Sequence, residues 1–352
     1  MKKKILSLVL ALCLFIGLLG GCANQKPVET TEPTKETNME IKDKNHPGND
    51  DTLSILMVGN SFCYYYVEEL YGLLMANPDP NRGYEKVRIL NLYYSGCRLD
   101  QHYNWWKAGA ANYQLFQTNE DGRVEMEPVK QWTLENALTQ GKWDYISLQG
   151  GTGEVSYSKK TAAENGLLVS EYATPLLAHF HELHPYAKLL WHRTWPFEVG
   201  RISGSTVYDE ALLEKYNAGM QALCEWMCNE FVQDKDYDLT MVNSGAAWVR
   251  AREANAKLET SLIPEEGGLC ARLGIRNEKT YPYHLLNPDA GDGYHEGDIG
   301  GGQFLNACVW YETITGQSCL DNPYKPTKEN GKYELSDEFA ELLRNAAHTE
   351  NN

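Results

Sequence analysis

The feature that most constrains the fold of this chain is a series of short apolar segments, each followed by small or polar residues. There are five of them, at 52–58, 87–94, 143–149, 187–191 and 239–243. Their length and their flanking glycines, serines and asparagines are typical of buried β-strands. Helix-like segments lie between them, and strands that alternate with helices predict a parallel sheet covered on both faces.

Apolar residues at helical spacing predict the helices, which are expected near 67–75, 134–138, 160–184, 209–232, 300–315 and 336–347. The segment 113–129 has a different pattern, because Asp121-Gly122 is a favourable hairpin turn. We therefore expect an insertion near 103–132 that contains a β-hairpin.

The N-terminus carries the signature of a secretory leader. Lys2, Lys3 and Lys4 precede an apolar run at 5–19, which is too short for a typical membrane span and suits a signal peptide. The run ends in Leu-Gly-Gly-Cys, which resembles the lipobox of bacterial lipoproteins and implies lipidation of Cys22. An ordinary secretory signal or an uncleaved anchor is the alternative.

The domain organisation follows from composition. Residues 1–22 are the expected signal peptide, and residues 23–50, rich in Lys, Glu, Thr, Pro and Asn, are the expected disordered tether. Residues 51–352 then form one domain, held outside the cytoplasm at the cell surface by the lipid. We expect no other membrane contact, and the sequence does not indicate an oligomeric state.

The charge excludes one class of partner. The formal net charge is −16, and removal of the three leader lysines leaves −19 for the mature chain. Nucleic acid is bound mainly through Lys and Arg contacts to phosphate, so we expect no nucleic-acid partner. Of the nine cysteines, seven lie in the domain, an odd number without a CxxC pair, and we expect no disulfide framework.

In an open parallel sheet, ligands bind beyond the carboxyl ends of the strands. Three turns are expected to meet there: Gly59-Asn60-Ser61, Ser95-Gly96 and Gln149-Gly150-Gly151. Ser61 follows a strand and precedes a helix, a position suited to an exposed nucleophile or, equally, to a helix-capping serine.

A second motif, Asp292-Gly293-Tyr294-His295, lies in a glycine-rich loop before the late helix. An imidazole can accept a proton from a serine, and a nearby carboxylate can fix its tautomer. The alternatives are a bystander histidine in an Asp/Gly turn, or a calcium loop built from Asp289, Asp292 and Asp298.

Together these motifs resemble the SGNH/GDSL hydrolase superfamily, in a branch with Gly-Asn-Ser-Phe where others have Gly-Asp-Ser-Leu. The resemblance covers roughly residues 52–320. It implies a flavodoxin-like, three-layer α/β/α fold with a central parallel sheet of five strands. It also implies that Ser61 is the nucleophile, His295 the general base and Asp292 its orienting acid.

The resemblance further implies that the backbone N–H groups of Ser61 and Gly96 stabilise the oxyanion. The family's Gly-x-Asn-Asp block is missing after the third strand, where Gln149 stands instead. Its amide could serve as the third donor or could satisfy loop backbone. Asn60 is expected to form structural hydrogen bonds and is also a candidate substrate contact.

Further polar and aromatic residues remain open to two interpretations. His179, His181 and His184 suggest either a zinc site or a helix end, and His192 beside Arg193 either lines the pocket or caps its strand. Trp105 and Trp106 either stack against a sugar or belong to the core. We expect no metal and no cofactor.

The sequence thus predicts a lipid-anchored serine esterase that removes O-acyl groups, chiefly acetyl, from carbohydrate. Lipases and thioesterases of the same superfamily, and a catalytically silent glycan-binding lipoprotein, are the alternatives.

Overall fold

The apolar segments form the strands of a mixed sheet in the computed structural model. The structure describes residues 50–60, 62–63, 65–79, 83–150, 169–195, 201–203, 206–208, 211, 239–262, 301–327 and 334–348, and all of them belong to one unit that spans 42–352. The expected signal peptide, most of the tether and Cys22 lie outside this range.

Nine strands are described, and their bounds follow the predicted segments to within about two residues where a strand was predicted. They are β1 (Thr52–Gly59), β2 (Lys86–Tyr93), β3 (Tyr113–Thr118), β4 (Val124–Trp132), β5 (Tyr145–Gly150), β6 (Lys188–Arg193), β7 (Arg201–Ser203), β8 (Thr206–Tyr208) and β9 (Leu239–Val242).

Seven of these strands form one sheet in the order β4-β3-β2-β1-β5-β6-β9, and β7 and β8 form a separate hairpin. The five strands β2, β1, β5, β6 and β9 are parallel to one another. Taken in chain order, they give the 2-1-3-4-5 arrangement of doubly wound folds. The five-stranded parallel core is therefore present, but the sheet as a whole is larger and partly antiparallel.

The two extra strands are the predicted hairpin, which the expected fold treated as an insertion. It pairs antiparallel with β2 and so continues the sheet. Its turn packs on the helix after β1, where Glu68 accepts a hydrogen bond from Val124 N–H and forms an ion pair with Arg123. Gly122 has φ +75°, and a Cβ there would lie 2.1 Å from the Tyr71 ring. Only glycine suits this contact.

Seven α-helices are described around the sheet. They are α1 (Val67–Ala76), α2 (Leu99–Ala108), α3 (Leu134–Leu138), α4 (Thr174–Leu183), α5 (Ser244–Ala256), α6 (Gly301–Thr315) and α7 (Asp337–Ala347). A π-helical turn, Val169–Ala173, precedes α4, and a 3₁₀ turn, Cys319–Asp321, follows α6.

Helices cover both faces of the sheet, and β1 shows how. Ile55 and Met57 point into a core shared with α1, α5, α6 and α7, whereas Leu56 and Val58 point into a second core with α2, α3 and α4. Side chains alternate between the two faces of a strand, so a strand that is apolar throughout can be buried on both. Helix α6 is buried on nearly its whole circumference.

The sequence patterns found most of these helices. The predictions for α1, α3, α6 and α7 are confirmed, and the predicted helix near 160–184 is observed from residue 169 onward. Helices α2 and α5 were missed. The predicted helix at 209–232 lies almost entirely outside the described residues.

Among the described residues, Cys63, Cys97, Cys308 and Cys319 are buried. Cys224 and Cys228 lie outside them. No helix in the described part of the chain is both long and apolar enough to cross a membrane.

Candidate active site

The strand ends that carry the predicted motifs lie side by side at the carboxyl edge of the sheet. Gly59, the last residue of β1, pairs with Tyr93 at the end of β2. On the other side of β1, Val58 pairs with Leu148 of β5, and the next residue, Gln149, pairs with His192 of β6. The turns after β1, β2 and β5 therefore start at one level, as the parallel topology requires.

The side chain of Asn60, which follows β1, connects the turn after β2 with the end of β5. Its Nδ2 donates to the Cys97 carbonyl, 3.0 Å away in the turn after β2. Its Oδ1 accepts from Phe62 N–H at 3.0 Å and from Gln149 Nε2 at 2.8 Å. With only 5% of its surface exposed, Asn60 is buried, and both its side-chain oxygen and its side-chain nitrogen are hydrogen-bonded. The residue directly before Ser61 is thus fixed to two neighbouring strand ends.

Gln149 returns a second hydrogen bond to the same residue. Its Oε1 accepts from Asn60 N–H at 3.1 Å, while its Nε2 donates to Asn60 Oδ1. A primary amide has two N–H hydrogens, so one remains on Nε2 after these contacts. Gln149 therefore holds the turn after β1 and retains at most one donor for an oxyanion.

Gly59 makes this pairing possible. A Cβ at residue 59 would lie 2.4 Å from Gln149 Oε1 and 2.6 Å from Cys63 Sγ. Real Cβ atoms essentially never approach other atoms so closely. The glycine of the Gly-Asn-Ser motif is thus needed because the Gln149 amide lies across the end of β1.

The chain is also held on the far side of Ser61. Cys63 N–H donates to the Asn60 carbonyl at 3.1 Å. The Asn91 side chain on β2 donates to the Cys63 carbonyl at 2.8 Å. Burial raises the pKa of the Cys63 thiol to about 12, so this cysteine stays protonated and serves as packing.

Gly96 lies in the turn after β2, which is anchored to β1 because Tyr94 N–H donates to the Gly59 carbonyl at 3.3 Å. Gly96 has φ +64°, a left-handed conformation, and is exposed at the carboxyl edge of the sheet. Among the described residues, its N–H has no hydrogen-bond acceptor. This makes the Gly96 N–H a candidate donor to an oxyanion.

The three residues assigned to the triad, Ser61, Asp292 and His295, all lie outside the described residues, as do the alternative calcium ligands Asp289 and Asp298. What the structure does describe is the frame around Ser61: Asn60 before it in the chain, Phe62 and Cys63 after it, and the Gly96 turn at the same edge of the sheet.

His192, a candidate pocket residue, lies inside the core. It is fully buried, its Nε2 is 3.1 Å from Ser244 Oγ, and its ring packs against Trp310 at 5.3 Å between centroids. Burial lowers its pKa to about 3, so the ring is neutral. Arg193 donates to the Asn243 side chain at the end of β9.

Trp105 and Trp106, the candidate stacking platform, are half-buried on α2. The Trp105 ring packs edge-on against Tyr94, 4.7 Å between centroids, and Trp106 stacks on His179 at 4.5 Å. The Lys107 ammonium also lies over the Trp106 ring. Both indoles thus pack against the second core.

The histidine cluster is not assembled as a metal site. His179 binds Glu135, 2.9 Å away, and His184 Nε2 lies 2.9 Å from the Leu138 carbonyl. Burial lowers the pKa of His184. No group of three or more His, Cys, Asp or Glu side chains in the described part of the chain could hold a metal ion.

Sequence reasoning missed the reciprocal pairing of Asn60 and Gln149, although it singled out both residues. Both are amides at strand ends, which is a signal for side-chain hydrogen bonds. Their mutual contact, however, depends on the register of β1 against β5, which no local pattern reveals.

Comparison with known proteins shows which family the chain belongs to. One structure with the same fold is a DUF4886 family protein from Bacteroides uniformis, with TM-score 0.60 and 22% identity over 85% of this chain and 94% of that one. An acetyl-xylooligosaccharide esterase variant from Geobacillus stearothermophilus has TM-score 0.40 and 14% identity over 74% and 94% of the two chains.

A protein from Parabacteroides merdae, described as a GDSL-like lipase, has TM-score 0.42 and 14% identity over 76% of this chain and 96% of that one. No functionally curated protein matches the sequence. The sequence profile of DUF4886, a domain of unknown function, matches residues 54–262, more than half of the chain, and the chain therefore belongs to the DUF4886 family.

Proposed function

We propose that this protein is a serine esterase with Ser61 as nucleophile, His295 as general base and Asp292 as the acid that orients His295. The observation that carries the proposal is the frame around Ser61. Asn60 binds both the turn after β2 and the end of strand β5, and the exposed residue Gly96 lies in that turn. A chain held in this way near a backbone N–H that has no acceptor among the described residues suits a nucleophile that needs an oxyanion hole.

In the proposed reaction, Ser61 Oγ attacks the ester carbonyl while His295 accepts the hydroxyl proton. The negative charge on the carbonyl oxygen is stabilised by the N–H groups of Ser61 and Gly96. The tetrahedral intermediate collapses, the alcohol leaves with the proton from His295, and an acyl-enzyme remains. Water activated by His295 then releases the acid and restores Ser61.

The proposed substrate is an O-acyl group, chiefly acetyl, on carbohydrate, and the proposed location is the cell surface, with the chain anchored by a lipid on Cys22. The tether composition and the lipobox-like leader support this location. A lipase or thioesterase activity would use the same frame with another substrate.

The first test is labelling of the full-length protein with a fluorophosphonate probe, followed by peptide mass spectrometry. We expect labelling at Ser61 that is lost in Ser61→Ala and His295→Ala. Ser244→Ala is the matched serine control, because Ser244 also contacts a histidine side chain, at 3.1 Å. His184→Ala is the histidine control, because its partner is the Leu138 carbonyl. Both controls should keep the label.

A label on Ser244 in place of Ser61 would show that the triad assignment is wrong. A folded protein that takes no label and hydrolyses no acetylated carbohydrate, but retains such a carbohydrate in a pull-down, would favour the glycan-binding alternative.

A further inference from the structure

The amide groups of Asn60 and Gln149 have only one mutual orientation that satisfies their hydrogen bonds. Gln149 Oε1 faces the Asn60 N–H donor, and Gln149 Nε2 faces the Asn60 Oδ1 acceptor. If the Gln149 amide were flipped, its Nε2 donor would face the Asn60 N–H donor, and its Oε1 acceptor would face the Asn60 Oδ1 acceptor. The Asn60 amide is fixed in the same way, by the Cys97 carbonyl on one side and Phe62 N–H on the other.

This pairing controls the position of two parts of the proposed oxyanion hole. Asn60 Nδ2 holds the Cys97 carbonyl, and Cys97 follows Gly96 directly in the chain. Asn60 also aligns Gln149, whose Nε2 has a second hydrogen with no acceptor among its described contacts. Asn60, Gln149 and Cys97 are all at most 5% exposed, so water does not compete freely for these bonds.

We propose that Asn60 is a positioning residue that sets the spacing between the nucleophile turn and the Gly96 turn and fixes the orientation of the Gln149 amide. The proposal rests on the esterase function proposed above. Asn60 touches no substrate in this scheme. It acts through the Gly96 N–H and the remaining Gln149 N–H, which would bind the charge that develops on the carbonyl oxygen.

The chain contains a matched control. Asn322 is also buried, its Nδ2 donates to the Leu73 carbonyl at 2.9 Å, and its Oδ1 accepts from Tyr324 N–H at 2.9 Å. Asn60 makes the same two kinds of contact, including the bond from the N–H two residues later. Asn322 differs in being bonded to helix α1 and in having a hydrogen bond with the Tyr311 side chain, rather than a reciprocal pair with an amide, among its described contacts.

The experiment compares Asn60→Asp with Asn322→Asp. Each change keeps the acceptor and replaces the donor that faces a carbonyl, so each should destabilise its turn. Gln149→Glu is the second test variant, because it keeps the acceptor for Asn60 N–H and removes the donor to Asn60 Oδ1. Activity on 4-nitrophenyl acetate is measured per active site, with the active fraction counted by fluorophosphonate labelling of the full-length protein.

For a positioning role we expect kcat/KM per labelled site to fall on the order of 10²-fold in Asn60→Asp and in Gln149→Glu, with KM changed little. Inhibition by phenylboronic acid, which forms a tetrahedral adduct with a serine, should weaken in proportion to the loss of kcat/KM. Asn322→Asp should keep the wild-type kcat/KM per labelled site and the wild-type inhibition by phenylboronic acid. A purely structural role would lower the labelled fraction and leave these ratios unchanged.

Equal activity per labelled site in Asn60→Asp, Gln149→Glu and Asn322→Asp would overturn this proposal and leave the esterase function intact. A folded wild-type protein without any label at Ser61 would overturn the esterase function itself, and this proposal with it.

Discussion

Two buried asparagines, Asn60 and Asn322, make nearly the same local hydrogen bonds in two regions of the molecule. Each donates to a carbonyl distant in sequence and accepts from the N–H two residues ahead. Asn322 bonds the segment after the 3₁₀ turn to helix α1. Asn60 lies at the carboxyl edge of the sheet, where Gln149 adds a reciprocal pair. The same local hydrogen bonds thus hold a turn in both regions, and the position of the turn in the fold determines whether they can also position an active site.

The largest expected difference between the two regions comes from their close-packed glycines. A Cβ on Gly59 would meet the Gln149 amide at 2.4 Å, and one on Gly72 would meet the Tyr324 ring at 2.2 Å. Gly59→Ala should displace Gln149 and lower kcat/KM by about 10²-fold, since small misplacements at a site are costly.

Gly72→Ala should instead cost about 1–3 kcal/mol of unfolding free energy from overpacking, partly offset by the better helix propensity of alanine. Its kcat/KM per folded molecule should stay at the wild-type value. Urea unfolding and ester hydrolysis of both variants measure the two effects, and a Gly72→Ala enzyme as impaired as Gly59→Ala would erase the distinction between the regions.

A second expectation concerns acid. Burial lowers the pKa of His192, beside Gln149, and of His102, in the second core, to about 3 each. The unfolded chain binds these protons at higher pH, so stability is full above about pH 6.5 and falls as the pH drops towards 3. Each histidine contributes up to about 1.4 kcal/mol per pH unit in that window.

Urea unfolding of wild type, His192→Asn and His102→Asn at several pH values checks this. Each variant should have a smaller slope of stability against pH than the wild type. If the dependence of stability on pH disappears in His192→Asn alone, the region around His192 is the acid-sensitive part of the molecule. Slopes unchanged in both variants would contradict the neutral buried state of these rings.

The smallest expected effect is at two left-handed glycines with open space around them. Gly96 has φ +64°, Gly316 has φ +68°, and a Cβ on either would have no neighbour within 4 Å. Alanine at either position should cost about 1–2 kcal/mol of stability through backbone strain. Only Gly96→Ala should also lower kcat/KM. Equal activities per folded molecule would remove the Gly96 N–H from the proposed oxyanion hole.

The parallel core could be predicted because its strands are apolar on both faces and are separated by helical patterns. Helix α5 was missed, since its buried positions include Ser244, Gly245 and two alanines, which give a weak apolar pattern. The pairing of the hairpin with β2 was also missed. The local sequence indicates the turn at Asp121-Gly122, but it does not indicate that β3 pairs with the edge of β2.

At the site, the motifs indicated which strand ends would meet, and β1, β2 and β5 do end at one level. They did not indicate that Gln149 binds Asn60, because that contact depends on strand register. They also left His192 as a candidate pocket residue, whereas its side chain is fully buried in the core. A histidine at a strand end has the same sequence appearance whether its ring faces the site or, as here, the core.

The edges of the sheet have a consequence for self-association. Among the described strands, one edge is β9, with four residues, and the other is β4, which contains Pro128 and two glutamates in nine residues. A short edge offers few unpaired backbone groups, while proline and charge on an edge oppose the addition of a foreign strand. Copies of this protein crowded together should therefore resist joining their sheets edge to edge.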